Sequence, residues 1–281
     1  MNSISLQNVT MRFQETTALE DVTVQFEQGK IYGLLGRNGA GKTTLLSCVT
    51  GRLFPQQGRV FIDSEPALEN DRALSRVYSM GEKNYYPEGT TVKQLIQWTE
   101  DFYPGFDRAY AQDLADQFAL NPKKKLKALS TGYLTIAKLV CALATDAPYL
   151  LLDEPVLGLD ANHRELFYRL LLEDYARKPR TIIVSTHLIE EVADIIEQVV
   201  ILKQGRLLLD RPADEVKRMG YSVSGKASDV DAWCRGREVL STDTLGGLKT
   251  ACLLGSPDGV PPSLETAPLD LQKLFIRLTN A

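Results

Sequence analysis

Hydrophobic spacing divides the chain into regions of different character. Residues 1 to about 65 alternate apolar and polar side chains in ISLQNVTMRF and again in VTVQF, the period of half-buried strands. KIYGLLG is a short continuous apolar run that predicts a further strand, and a glycine-rich interruption follows it. A mostly helical middle is predicted from about 70 to 145. Two buried-type strands, YLLLD (149–153) and TIIVS (181–185), flank the helix-like ANHRELFYRLLLEDYARK; that order predicts a parallel sheet with crossover helices. QVVILK and RLLLD form a strand pair that turns at Gln204-Gly205. Beyond Arg211-Pro212 the character changes. YSVSGKA, EVLSTDTL and LKTACLLG predict a small strand-rich appendage, followed by the SPDGVPPS loop and a last helix, LDLQKLFIRL.

Composition narrows the classes. A chain of 281 residues holds one large domain, or one plus a small appendage. Its 44% hydrophobic and 24% charged content is that of a soluble globular protein. A net charge of −4 and a pI near 5.4 do not favour nucleic acid or an anionic membrane. The lysine run KKKLK (123–127) reads as a solvated face, not a nucleic-acid patch. Cys48, Cys141, Cys234 and Cys252 show no close pair and no metal-like spacing, which suits a reducing cytosol. No signal-like N-terminus occurs, and no apolar run approaches the roughly 20 residues that span a bilayer. A membrane process would need another chain to supply the membrane part.

GRNGAGKTT, residues 36 to 44, carries the strongest chemistry. It fits G-x-x-x-x-G-K-[ST] between an apolar strand and a helix-like TTLLSCVTG. Gly36, Gly39 and Gly41 let backbone wrap phosphate without Cβ clashes, and backbone N–H groups at the helix start bind the anion. Lys42 is placed to reach the β- and γ-phosphates, and the Thr43 hydroxyl to coordinate Mg²⁺. This pattern predicts a nucleotide site. In APYLLLDEP, an apolar strand delivers Asp153 at its C-terminal end, where such sheets bind ligands. Asp153 is expected to hold Mg²⁺, and the adjacent Glu154 to orient or deprotonate a water attacking the γ-phosphate. ALSTGYLTIAKLV (128–140) stays open at this level. Ser130 caps an apolar helix in either reading, and Thr131 and Gly132 leave an anion-attracting end. A plain core helix and a phosphate receiver fit equally.

With these residues in place, the chain resembles the nucleotide-binding subunits of ABC transporters over about residues 1 to 215. VSTHLIEEV matches the family's histidine switch at His187, and DEPVLGLD matches its D-loop, ending at Asp160. Phe13 lies where the family stacks an aromatic on adenine. LSTGY aligns with the signature Leu-Ser-Gly-Gly-Gln, keeping Ser130 and Gly132, with Thr131 and Tyr133 replacing a glycine and the glutamine. The resemblance implies that Gly36, Arg37, Asn38, Gly39, Ala40, Gly41, Lys42, Thr43 and Thr44 bind ATP, with Asp160 also near the nucleotide. Ser130 and Gly132 would contact the γ-phosphate held by an opposite subunit. It also implies that Glu154, His187 and Lys42 carry catalysis, and that Thr43 and Asp153 hold Mg²⁺.

Three motifs depart from the family pattern. The Q-loop glutamine is missing between Tyr78 and Pro87. Counting back from Thr90-Thr91-Val92 puts Glu82 there, a possible metal contact, whereas counting from Tyr86-Pro87 puts Gly81. Leu157 replaces the usual D-loop serine, which removes one expected cross-subunit hydrogen bond. A signature of the form Leu-Ser-X-Gly-hydrophobic resembles that of bacterial exporter subunits.

The implied architecture is an α/β P-loop NTPase (RecA-like) core with an antiparallel β subdomain and a helical subdomain at about 70–145. Residues 1–215 would form the ATP-binding domain and 216–281 a small α+β accessory domain. The expected function is an ATPase at the cytoplasmic face of the membrane. Two such subunits, as homodimer or heterodimer, would close on ATP and drive a separate permease, with export the expected direction. The competing expectation is a soluble ABC-type ATPase acting on ribosomes or DNA. It would favour two fused cassettes and a basic surface, and this chain has one cassette and an acidic pI.

Overall fold

The computed structural model describes residues 2–269 and 271–280; Asp270, inside the stretch that predicts the last helix, lies outside the described residues. By its internal contacts the chain divides into two compact units. One runs to His187 and takes in Val200–Leu208; the other takes in Leu188–Val199 and the chain from Leu209 onward.

The first unit begins with the alternating segments. β1 (Ser3–Phe13) and β2 (Thr16–Glu27) pair antiparallel, with Ile4 opposite Phe26 and Leu6 opposite Val24, all buried. β3 (Ile31–Leu35) is buried throughout, and the glycine-rich loop leads from it into α1 (Lys42–Val49). β4 (Gln57–Ile62) and β5 (Glu65–Pro66) complete a four-stranded antiparallel sheet in the order β2-β1-β4-β5. After the short α2 (Asp71–Leu74) comes β6 (Val77–Met80), a strand within the stretch read as mostly helical. Its pairing with Tyr149–Leu152 makes it a strand; four residues carry no period of their own.

The helices α3 (Val92–Phe102), α4 (Arg108–Gln117) and α5 (Thr131–Ala144) follow. Thr91 and Gln94 close α3 with a reciprocal capping box, and Asp107 caps α4. Lys123, Lys124 and Lys125 are exposed while Leu126 is buried, so the lysine run is a solvated face. β7 (Tyr149–Asp153), α6 (Ala161–Arg177) and β8 (Thr181–Thr186) form the expected crossover unit. β7 and β8 pair in parallel, as do β3 with β8 and β6 with β7. A four-residue helix, α7 (Ile189–Val192), belongs to the second unit and precedes β9 (Gln198–Lys203) and β10 (Arg206–Pro212). The central sheet has six strands in the order β10-β9-β3-β8-β7-β6. Strands β3, β7 and β8 are buried along their whole length, as expected of parallel strands in a sheet covered on both faces.

α1 fixes the site. Leu45, Leu46 and Val49 pack in one core with Tyr149, Leu151 and Ile183 of the sheet. Each fully buried aliphatic side chain of this kind contributes roughly 1.5–3 kcal/mol. The helix is thereby pinned with its N-terminus, Lys42 and Thr43, at the sheet's C-terminal edge.

The second unit continues with α8 (Ala213–Lys217), β11 (Gly220–Lys226), α9 (Ala227–Cys234), β12 (Val239–Leu245), β13 (Leu248–Leu254), β14 (Glu265–Pro268) and α10 (Leu271–Asn280). Its strands form an antiparallel sheet ordered β12-β13-β11-β14, with α9 packed on β11 and β13. Tyr221, Val223, Val230, Ala251 and Leu253 form its core, and Trp233 Nε1 donates to the Tyr221 hydroxyl at 3.0 Å. No helix among the described residues is long and apolar enough to cross a membrane.

Candidate active site

The glycine-rich loop turns on Gly41, the residue that precedes α1. Its φ is 105°, and a Cβ there would stand 2.5 Å from the Ala18 carbonyl oxygen, so only glycine fits. Arg37, Asn38 and Gly39 are exposed at the loop crest, and Ala40 is buried beneath them. Lys42 is 6% exposed. Its Nζ donates to the Gly36 carbonyl at 2.7 Å and lies 3.8 Å from Glu154 Oε1. Burial pushes the Lys42 pKa below the usual lysine value, while Glu154 and Asp153 pull it back up. An ammonium has three N–H donors, so the bond to Gly36 leaves donors for an anion.

Asp153 ends β7 beside this helix. Its Oδ2 accepts from Thr43 Oγ1 at 2.7 Å and its Oδ1 from Ser185 Oγ at 2.7 Å. Glu154 sits at φ 50°, a left-handed backbone that non-glycine residues seldom adopt. Its amide donates to the Ser185 carbonyl at 2.8 Å, which holds the turn. The turned side chain receives Thr186 Oγ1 on Oε2 at 3.2 Å and faces His187 Nδ1 across 3.0 Å at Oε1. Lys42, Thr43, Asp153, Glu154 and His187 are therefore assembled at one place.

No motif marks Ser185 and Thr186, although two hydroxyls closing the run TIIVST just before His187 are a signal for them. The parallel register sets Asp153 beside Ser185.

Phe13, 44% exposed at the end of β1, lines a cavity of about 390 Å³ together with Thr43, Thr44, Asp153 and Glu82. A hydroxyl and a carboxylate 2.7 Å apart fit a hard divalent cation that takes its other oxygens from water and phosphate. No cluster of three or more His, Cys, Asp or Glu able to hold a metal occurs among the described residues, so an all-protein cage does not fit.

Ser130, Gly132 and Asp160 do not line this cavity. Ser130 caps α5 by accepting from the Tyr133 amide at 3.3 Å. Asp160 caps α6, taking the His163 amide on Oδ1 and facing His163 Nδ1 from Oδ2, both at 2.9 Å. Those bonds to His163 hold its carboxyl below the usual range. Gly132 has a packing requirement of its own, because a Cβ there would lie 2.4 Å from the Gly158 carbonyl oxygen. Thr135 Oγ1 donates to the Leu157 carbonyl at 3.0 Å in the same contact, joining the start of α5 to the loop after Glu154. Gly132→Ala should thus cost about 1–3 kcal/mol through overpacking, read as a lowered Tm without nucleotide. An unchanged Tm would show that the loop yields freely.

Residues 19–157 match the sequence family described as ABC transporter. The ABC transporter ATP-binding protein YtrB of Bacillus subtilis is 27% identical over 97% of both chains. An uncharacterised ABC transporter ATP-binding protein of Nostoc sp. is 30% identical over 77% of this chain and 67% of its own length. The fold superposes on a solved ATP-binding subunit of an ABC transporter with a TM-score of 0.69, at 24% identity, over 76% of this chain and 92% of that one. Chains named for export and for import both occur among the relatives.

Proposed function

Since the chain belongs to the ATP-binding, ATP-hydrolysing proteins of ABC transporters, we propose that it drives a separate membrane permease by closing on ATP as one of two paired subunits. The observation that carries the reading is the Thr43–Asp153–Ser185 chain lying beside the Glu154–Thr186–His187 cluster. In this account Lys42, with the backbone of residues 36–44, binds the phosphates, and Phe13 stacks on adenine. Thr43 and Asp153 hold Mg²⁺, with Glu82 at the cavity wall; when bound, the ion neutralises phosphate charge. Glu154 takes the proton of the attacking water, and Thr186 and His187 hold its carboxylate in place.

A second copy of this chain can supply the partner subunit, with Ser130 and Gly132 facing the γ-phosphate across the interface. Residues 1–215 act as the ATP-binding domain and 216–281 as an accessory domain. The segment from Glu82 to Thr91 meets the permease at the cytoplasmic face, and the drifted signature supports export. Ribosomes and DNA are disfavoured as partners by the net charge of −4.

Ser130→Asp tests the paired site cleanly. Aspartate caps a helix as well as serine does and suits the helix N-terminus, so the isolated chain keeps its fold and its ATP affinity. A carboxylate facing the partner's γ-phosphate should weaken ATP-dependent pairing at least about tenfold, with turnover falling alongside. Normal pairing and turnover in this variant would remove Ser130 from the interface.

A further inference from the structure

The buried length of α5 carries one charge. Lys138 stands about two turns in from Ser130 and is 6% exposed. Its ammonium donates to three consecutive backbone carbonyls: Gly81 at 2.8 Å, Glu82 at 2.9 Å and Lys83 at 3.2 Å. These belong to the loop that leaves β6, and the same three residues line the cavity that Thr43 and Asp153 share.

Three carbonyl dipoles aimed at one point repel each other unless a cation lies between them. A lysine ammonium has three donors, and here all three are used. Burial pushes the Lys138 pKa down, with Glu82 opposing and Arg52 adding to the shift, so an ammonium placed here carries a desolvation cost. An apolar side chain would fill the helix face without that cost, so core packing alone does not call for lysine. Further along, the loop also meets Arg52, which lies 5.9 Å over the ring of the exposed Tyr85, and Lys127, which donates to Glu88 at 2.6 Å.

We propose that Lys138 is a positioning residue for ATP turnover. Its ammonium pins the 81–83 loop to the helix that opens at Ser130, so that a wall of the nucleotide cavity and the phosphate-facing helix end move as one piece. The proposal rests on the nucleotide-site reading above, yet the pin itself can be tested without nucleotide.

Lys83 lies inside the pinned loop and is a trypsin site, so Lys138→Met and Lys138→Gln in the full chain give a direct readout. Cleavage after Lys83 should quicken at least about tenfold in the methionine variant and less in the glutamine variant, which keeps two N–H donors. ATP turnover should fall at least about tenfold, while ATP affinity stays within about threefold. Unchanged cleavage in a folded variant overturns the pin. Faster cleavage with native turnover overturns the positioning role. Loss of ATP binding in the unsubstituted chain would instead indict the nucleotide-site reading. Should neither variant fold, trypsin on the unsubstituted chain decides. A pinned loop is cut more slowly than the exposed lysines 123–125, and earlier cleavage after Lys83 refutes the proposal.

Discussion

Lys42→Ala should lower ATP affinity roughly 10- to 150-fold, the loss expected from one charged hydrogen-bonding contact of about 1.5–3 kcal/mol. The ammonium is buried between the Gly36 carbonyl and Glu154, at 2.7 and 3.8 Å. Its charge is paired with Glu154 and attracted by Asp153. Without it, Glu154 and Asp153 would face incoming phosphate uncompensated, and repulsion would add to the lost attraction. Arginine is no substitute, because its planar fork does not fit a pocket built around a compact ammonium. Titration with a fluorescent ATP analogue reads the affinity directly. Unchanged affinity would detach the 36–44 loop from nucleotide binding.

Glu154→Gln should behave differently, keeping ATP affinity and losing turnover by a factor of about 10² or more. Glutamine preserves the volume and can still accept from Thr186 Oγ1, the bond that lies at 3.2 Å on Oε2 in the native chain. An amide cannot take a proton from water at neutral pH, so the step assigned to the Glu154 carboxylate is lost. The backbone at φ 50° is equally strained for both side chains, so the native and substituted chains should have similar Tm values. Phosphate release at saturating ATP is the readout. A variant that hydrolyses at the native rate would take Glu154 out of the mechanism.

What could be read from the sequence was whatever the local pattern dictates. β3, β7 and β8 are continuous apolar runs because both faces are covered, and the glycine-rich loop is an unbroken string of nine residues. Asp153 and Glu154 followed from their place at the end of β7. His187 and Phe13 came only through resemblance, since one histidine or one aromatic after a strand has no distinguishing pattern.

The rest depends on partners distant in sequence. Ser185 meets Asp153 because β7 and β8 pair in one particular register, which composition does not encode. β6 is four residues long and becomes a strand only beside β7. Asp160 caps α6, and capping and ligand binding draw on the same residue type, so sequence does not separate them. Gly132 invites a phosphate reading, but its contact with Gly158 gives it a second, structural reason to be glycine. Lys138 was visible as the one charge in TGYLTIAKLVCALA, yet the three carbonyls that it serves lie more than fifty residues earlier.

ATP should join two of these chains across their nucleotide sites. Sedimentation velocity of the Glu154→Gln chain, with and without ATP and Mg²⁺, tests it most directly, because blocked cleavage keeps the γ-phosphate in place. The expected result is a 31.2 kDa monomer without nucleotide and a species of twice that mass with it. A chain that binds ATP to saturation and still sediments as a monomer would contradict it.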